Sequence, residues 1–214
     1  GQRPVAELAA RYLTEASERL RPGSYKSVRF ALELLTSHVG EAQARDLSQA
    51  LGREVLGYIS QLSPNVRKYS DAKGASLADL AALSEKQEAI TLKPQTQARI
   101  WGQLQYFLDW CVQSGELEAN PWESLTVQAK PEVNPHGVLT DAQVVLLLGR
   151  KDWVLHNFLL FCLLTGLRSG EACGLLAEDV VSKGNLGRFV RVAPNDIRQL
   201  KSKAAQREVP LHSI

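Results

Sequence analysis

The sequence predicts a mainly α protein in two parts: an N-terminal helical bundle, then a smaller α+β unit carrying a small antiparallel sheet. Three observations carry that expectation. Apolar residues recur at helical spacing through most of residues 5–114. The stretch VQAKPEVNPHG at 127–137 holds two prolines and one glycine and has no periodicity, which marks a linker. Alternation of period two comes late, in RFVRV at 188–192 and REVPL at 207–211. The expected boundaries are therefore 1–126, 127–137 and 138–214.

Residues 5–20 place apolar side chains at 5, 8, 9, 12, 13, 16 and 20, one face of a helix stopped by Pro22-Gly23. Ser24 is a candidate cap for a second helix reaching His38, with Gly40 as its stop and Lys26 and Arg29 near its start. Asp46 and Ser48 offer caps for a third, which Ser63-Pro64 ends. Residues 63–92 read as a polar, irregular insertion, apart from a short helix opened by a capping-box pair, Ser76 and Asp79. A fourth long helix starts at Pro94, a favoured first-turn residue, and ends at Ser114-Gly115. Trp101, Leu104, Phe107, Leu108 and Cys111 form its inner stripe, while Lys93, Gln95, Gln97, Arg99 and Gln103 lie on the other side. Amides and cations so placed suit a DNA major groove, and they equally suit water.

In the second part, Thr140 and Gln143 form another capping box, and Asp152 can cap a buried apolar helix running to Thr165. Gly166 is its expected left-handed stop, because a residue without a β-carbon takes positive φ at no steric cost. Leu167 returns to the core and Arg168 begins another short helix, residues 169–176. A long cation on such a corner needs an anion. Glu171, three residues on, offers an ordinary i,i+3 pair.

Composition bounds the rest. A 44% hydrophobic, 22% charged chain of 214 residues is ordinary for a globular protein, and no apolar run reaches membrane-spanning length. Cys111, Cys162 and Cys173 stand singly in apolar patterns and read as buried thiols of a reducing cytoplasm, and the four histidines have no metal spacing. Methionine is absent, position 1 included, so the chain reads as a processed or cloned piece of something longer. The net charge of +2 conceals a division. Residues 1–128 hold 14 Lys/Arg against 15 Asp/Glu, whereas 183–207 hold seven basic residues and one acid, Asp196. Such a stripe suits a phosphate-bearing partner, or a solvated hairpin face.

TGLRSGEACGLLAEDV resembles the first active-site box of the tyrosine recombinases, or phage integrases, T-G-x-R-x-x-E-x-x-x-L-x-x-x-D-(V/I). Thr165, Gly166, Arg168, Glu171, Leu175 and Asp179 all match. KSKAAQREVPL at 201–211 resembles the family's hairpin pattern K-(T/S)-K-x-x-x-R-x-V-P-L. Upstream, the aromatic-rich helix ending GELEANP is similar to the last helix of the core-binding domain, and RPGSYKSVRFALELLTSHVG to its second. The resemblance implies a SAM-like helical core-binding domain followed by a truncated α+β tyrosine-recombinase catalytic domain.

It also implies a chemistry. These enzymes cut and rejoin DNA without metal or cofactor, through a 3′-phosphotyrosine and a free 5′-hydroxyl. Charge on the scissile phosphate suits arginine's planar fork, and the leaving oxygen needs a general acid. The resemblance assigns these roles to Arg168 and Lys201, with Glu171 bracing the site and Lys203 a lesser candidate acid. Contacts with double-stranded DNA are expected from Lys26, Arg29, Lys93, Gln95, Gln97, Arg99, Lys130, Arg198, Lys203 and Arg207.

The nucleophile is missing: all five tyrosines (Tyr12, Tyr25, Tyr58, Tyr69, Tyr106) precede the linker, and no histidine starts an H-x-x-R box. The chain is expected to be a fragment that cannot cleave, monomeric or weakly associating, from a cytoplasmic parent that oligomerises on DNA. The rival readings are a non-catalytic architectural DNA-binding protein and a helical scaffold that binds no DNA.

Overall fold

Where apolar residues recur at helical spacing, helices form. In the computed structural model residues 3–87, 90–127, 137–200 and 202–212 are described, apart from the Lys203 side chain. The chain divides into two compact units, Gly1–Val133 and Asn134–Ile214. Most of the stretch read as a linker, together with Lys130 and Lys201, lies outside the described residues.

The first unit holds α1 (Val5–Arg19), α2 (Pro22–Val39), α3 (Gln49–Gln61), α4 (Leu77–Lys86) and α5 (Pro94–Gln113). Pro22-Gly23 both ends α1 and starts α2. Proline's fixed φ suits the first helical turn, so the helix begins two residues before the expected Ser24. Ser48 caps α3 by accepting the Leu51 N–H at 3.2 Å, while Asp46 accepts the Gln43 N–H of a separate 3-10 turn. The Ser76–Asp79 capping box forms as read.

Residues 63–92 read as a polar, irregular insertion, and several of their side chains are packed into the core of the first unit. Val66, Leu77, Leu80 and Ala81 are buried, and α4 lies on α3. The polar groups of this stretch answer one another. Buried Ser84 Oγ accepts the Ser63 N–H at 2.9 Å and donates to Leu80 O at 2.8 Å. Serine in a helical pattern looks polar on paper, but its hydroxyl can return to the preceding turn and disappear inside.

The bundle closes on the segment after α5. Asn120 donates to Gln105 Oε1 and to Asp109 Oδ1, both at 2.8 Å, and accepts the Trp122 N–H at 2.9 Å. Trp122 is fully buried, stacks on Trp101 with ring centroids 5.3 Å apart, and donates its indole N–H to Ser48 O at 2.9 Å. Gly52 admits that ring, since a β-carbon there would lie 2.6 Å from Trp122 Cδ1.

The second unit holds α6 (Asp141–Leu148), α7 (Trp153–Thr165) and α8 (Ser169–Cys173), then β1 (Val180–Ser182), β2 (Arg188–Val192) and β3 (Arg207–Pro210). The sheet is antiparallel in the order β1-β2-β3, with Val190 opposite Val180 and Val209. Leu167, Val190, Val192 and Leu200 make its small core. The fold class is thus the expected one, mainly α with a small antiparallel sheet.

Two expectations about burial are corrected. The apolar run at 153–165 predicts a buried helix, but no residue of α7 is buried, and Trp153 is 77% exposed. A helix apolar on every side needs cover on every side, and among the described residues of its unit α7 meets α6 and α8. Of the cysteines, Cys111 is buried, its thiol pushed up to about 12 by that burial, whereas Cys162 is half-buried and Cys173 exposed. Among the described residues no helix is long and apolar enough to cross a membrane.

Candidate functional site

The α7–α8 corner is set by one residue. Gly166 adopts φ 65° and ψ 17°, the left-handed conformation, and its N–H closes α7 on Cys162 O at 2.9 Å. The chain then buries Leu167 at 5% exposure, which leaves Arg168 as the N-cap residue of α8 with a side chain 70% exposed.

The spacing to Glu171 follows from helix-start geometry. A residue three beyond the N-cap can return its carboxylate to the N-cap N–H, and Arg168 N donates to Glu171 Oε2 at 3.0 Å. The same carboxylate takes Arg168 Nη1 on Oε1 at 2.9 Å. From the sheet, Arg207 adds a fork, Nη2 to Oε2 at 2.7 Å and Nη1 to Oε1 at 3.3 Å. Hydrogen bonding from Arg207 is the largest influence on Glu171. Against the upward push of burial, it and the two Arg168 donors hold the carboxyl down to about 2. One buried carboxylate between two arginines leaves a net positive charge at the corner.

Four cations of the basic stripe, Lys183, Arg191, Arg198 and Arg207, are paired with acids of the protein itself. Arg198, expected to touch DNA, is 3% exposed. Its Nη2 donates to Asp179 Oδ2 at 3.0 Å and to Ala193 O at 2.7 Å, and its Nε to Ala193 O at 2.9 Å. A guanidinium so enclosed cannot reach a phosphate, so that assignment is corrected. Arg207, also expected on DNA, is engaged by Glu171, and Lys183 and Arg191 both pair with Glu208. The partner acids, Glu171, Asp179 and Glu208, lie outside residues 183–207 in the sequence.

In the first unit, Lys26, Lys93, Gln95 and Arg99 are exposed. Arg29 is exposed too and bridges Glu33 at 3.3 Å. Gln97 is half-buried, its amide donating to Leu92 O at 2.7 Å at the head of α5. Arg99 lines a groove of about 750 Å³ with Arg19, Ser24, Ser27, Gln103 and Tyr106. That Arg19, Ser24, Ser27 and Tyr106 line one groove leaves no trace in the sequence, because they lie on three helices whose adjacency no local pattern records.

No family model matches the sequence, and neither does any curated protein. Solved structures do match. The Tn1549 transposon integrase, in complex with circular intermediate DNA, superposes with TM-score 0.61 at 17% identity over 99% of this chain. Two further complexes of that integrase give TM-scores of 0.58 and 0.56 at 15% and 16% identity, again over 99% of the chain. The chain has the fold of a transposon integrase. It spans about 62% of the length of the integrase chains it matches. This integrase fold agrees with the resemblance carried by the T-G-x-R-x-x-E box, whose Gly166, Arg168 and Glu171 build the corner described above.

Proposed function

We propose that this chain is the DNA-binding part of a site-specific tyrosine recombinase that integrates or excises a mobile element in the cytoplasm. The observation that carries the reading is Arg168: a 70% exposed guanidinium on a rigid corner, held from behind by a buried carboxylate. A cation that merely neutralised Glu171 would be redundant there, since Arg207 already does so with two bonds.

In the parent reaction a tyrosine attacks the scissile phosphate, forming a 3′-phosphotyrosine and releasing a 5′-hydroxyl. Arg168 offers charge-assisted bonds to the non-bridging oxygens as negative charge builds on them. Lys201 protonates the departing 5′-oxygen, a task worth about 10²–10⁴-fold. Glu171 orients Arg168. Lys26, Arg29, Lys93, Gln95 and Arg99 hold the duplex through the first unit, and Lys130 and Lys203 touch its backbone. The 214 residues supply the phosphate clamp but not the nucleophile, since every tyrosine lies at or before Tyr106. The chain is monomeric or weakly associating by itself, and the parent assembles on DNA.

The partner is double-stranded DNA, a reading supported by the DNA complexes of the matching integrase. An electrophoretic mobility shift with duplex DNA across a salt series tests it, with a steep fall in affinity expected as salt rises. Absence of binding at low salt sinks the reading. With a nicked suicide substrate no covalent adduct should form on this chain, and a trapped phosphotyrosine would overturn the assignment of the nucleophile elsewhere.

A further inference from the structure

Arg207 lies on β3, 36 positions along the chain from Glu171, yet it makes more side-chain hydrogen bonds to that carboxylate than Arg168 does. Its head is oriented a second time by Nη1 donating to Ala205 O at 3.1 Å. Arg168, among the described residues, gives Glu171 a single side-chain bond and keeps its side chain 70% exposed.

A carboxylate exposed by only 8% demands compensation for its charge. If Arg207 did not provide it, the nearest cation would. Arg168 is already bonded to Oε1, and swinging its fork onto both oxygens would withdraw it from solvent.

We infer that Arg207 is a positioning residue: by occupying both oxygens of Glu171 it leaves Arg168 free to present its guanidinium to a DNA backbone phosphate. The inference rests on the reading of Arg168 as a phosphate contact given above. Three charged groups bear on Glu171. Arg168 and Arg207 bond its carboxylate, and buried Arg198 reaches its backbone carbonyl from Nη1 at 3.3 Å. Arg198 is itself paired with Asp179, so it cannot replace Arg207. The two arginines and one acid form a clamp of net charge +1, with the positive end outward.

The test is the salt dependence of duplex binding by the whole 214-residue chain, measured with a labelled duplex oligonucleotide. R168Q should lower the slope of log affinity against log salt by about 1, the loss of one phosphate contact. R207Q should lower it by the same amount, and R168Q/R207Q by no more than either. E171Q/R207Q should recover the slope, because no carboxylate remains to recapture Arg168. R207K, which keeps the charge without the fork, should fall between wild type and R207Q and guards against a variant that fails to fold.

A double variant that loses about 2 would mean that Arg207 touches phosphate directly. An unchanged slope in R207Q, with only a lower melting temperature, would leave Arg207 as a plain structural tie. Both results overturn the inference while sparing the reading of Arg168. An unchanged slope in R168Q sinks that reading and the inference with it.

Discussion

Arg198 Nη2 lies 3.0 Å from Asp179 Oδ2, and both side chains are buried. Around this pair the loop leaving β2 is fastened to the end of α8. Asn195 Nδ2 donates to the same Asp179 oxygen at 3.1 Å and to Gly174 O at 2.9 Å. Gly174 is required there, because a β-carbon would sit 2.9 Å from Arg198 Cβ.

Removing one partner of a buried pair strands the other, at a cost of about 3–5 kcal/mol. R198A should destabilise the second unit by that amount in urea denaturation. R198M, which fills the space without a charge, should cost less when paired with D179N. Neither should change the salt slope of DNA binding per folded molecule, in contrast to R168Q.

Gly166 gives a second prediction. A β-carbon at φ 65° costs about 1–2 kcal/mol, although the site has open space around it. G166A should therefore lower the thermal midpoint through backbone strain alone. Because Arg168 is two residues along, duplex affinity should fall as well, as a binding titration of the folded variant would reveal.

Glu171 predicts an acid limb in the stability curve. Its folded carboxyl is held near 2, below the ordinary 4.5, first by Arg207 and then by Arg168. A depressed carboxyl favours the folded state above its unfolded value, and that contribution drains away as pH drops from about 4.5 towards 2. The stability difference between wild type and E171Q should be constant near neutrality and shrink across that window. A difference flat from neutral pH to pH 2 would contradict the arrangement at the corner.

The groove between α1, α2 and α5 predicts a separate electrostatic effect. R19A and R99A should each reduce the salt slope by about 1 if their guanidinium groups meet the backbone of the same duplex. Their effects should add to that of R168Q, since Arg19 and Arg99 belong to the other compact unit. Unaltered slopes would remove this groove from the DNA contact and leave Lys26, Arg29 and Lys93 as the cations of the first unit on the duplex.

What the sequence displayed was whatever is local. Ser76–Asp79 and Thr140–Gln143 form their capping boxes, Gly166 turns left-handed, and the two late alternating segments pair as β2 and β3. Arg168 and Glu171 were legible as a pair because a helix start brings positions three apart together. What stayed hidden depends on distant partners. Arg198 and Arg207 looked like stripe cations until Asp179 and Glu171 claimed them. The bond from the Ser63 N–H to the Ser84 hydroxyl spans 21 positions and leaves no local signal either. The exposure of α7 was unreadable for a similar reason, since an apolar pattern states a need for cover without saying what provides it.

Trp122 also bears on where the first unit can be trimmed. Its indole plugs the space between α3 and α5, with Gly52 hollowed to receive it and Asn120 latching the turn that carries it. A protein cut neatly after the last helix, at Gln113, would look complete on a secondary-structure diagram and yet have lost its stopper. Any isolated version of this bundle must run past Leu125, whose carbonyl receives the Trp101 N–H at 2.8 Å.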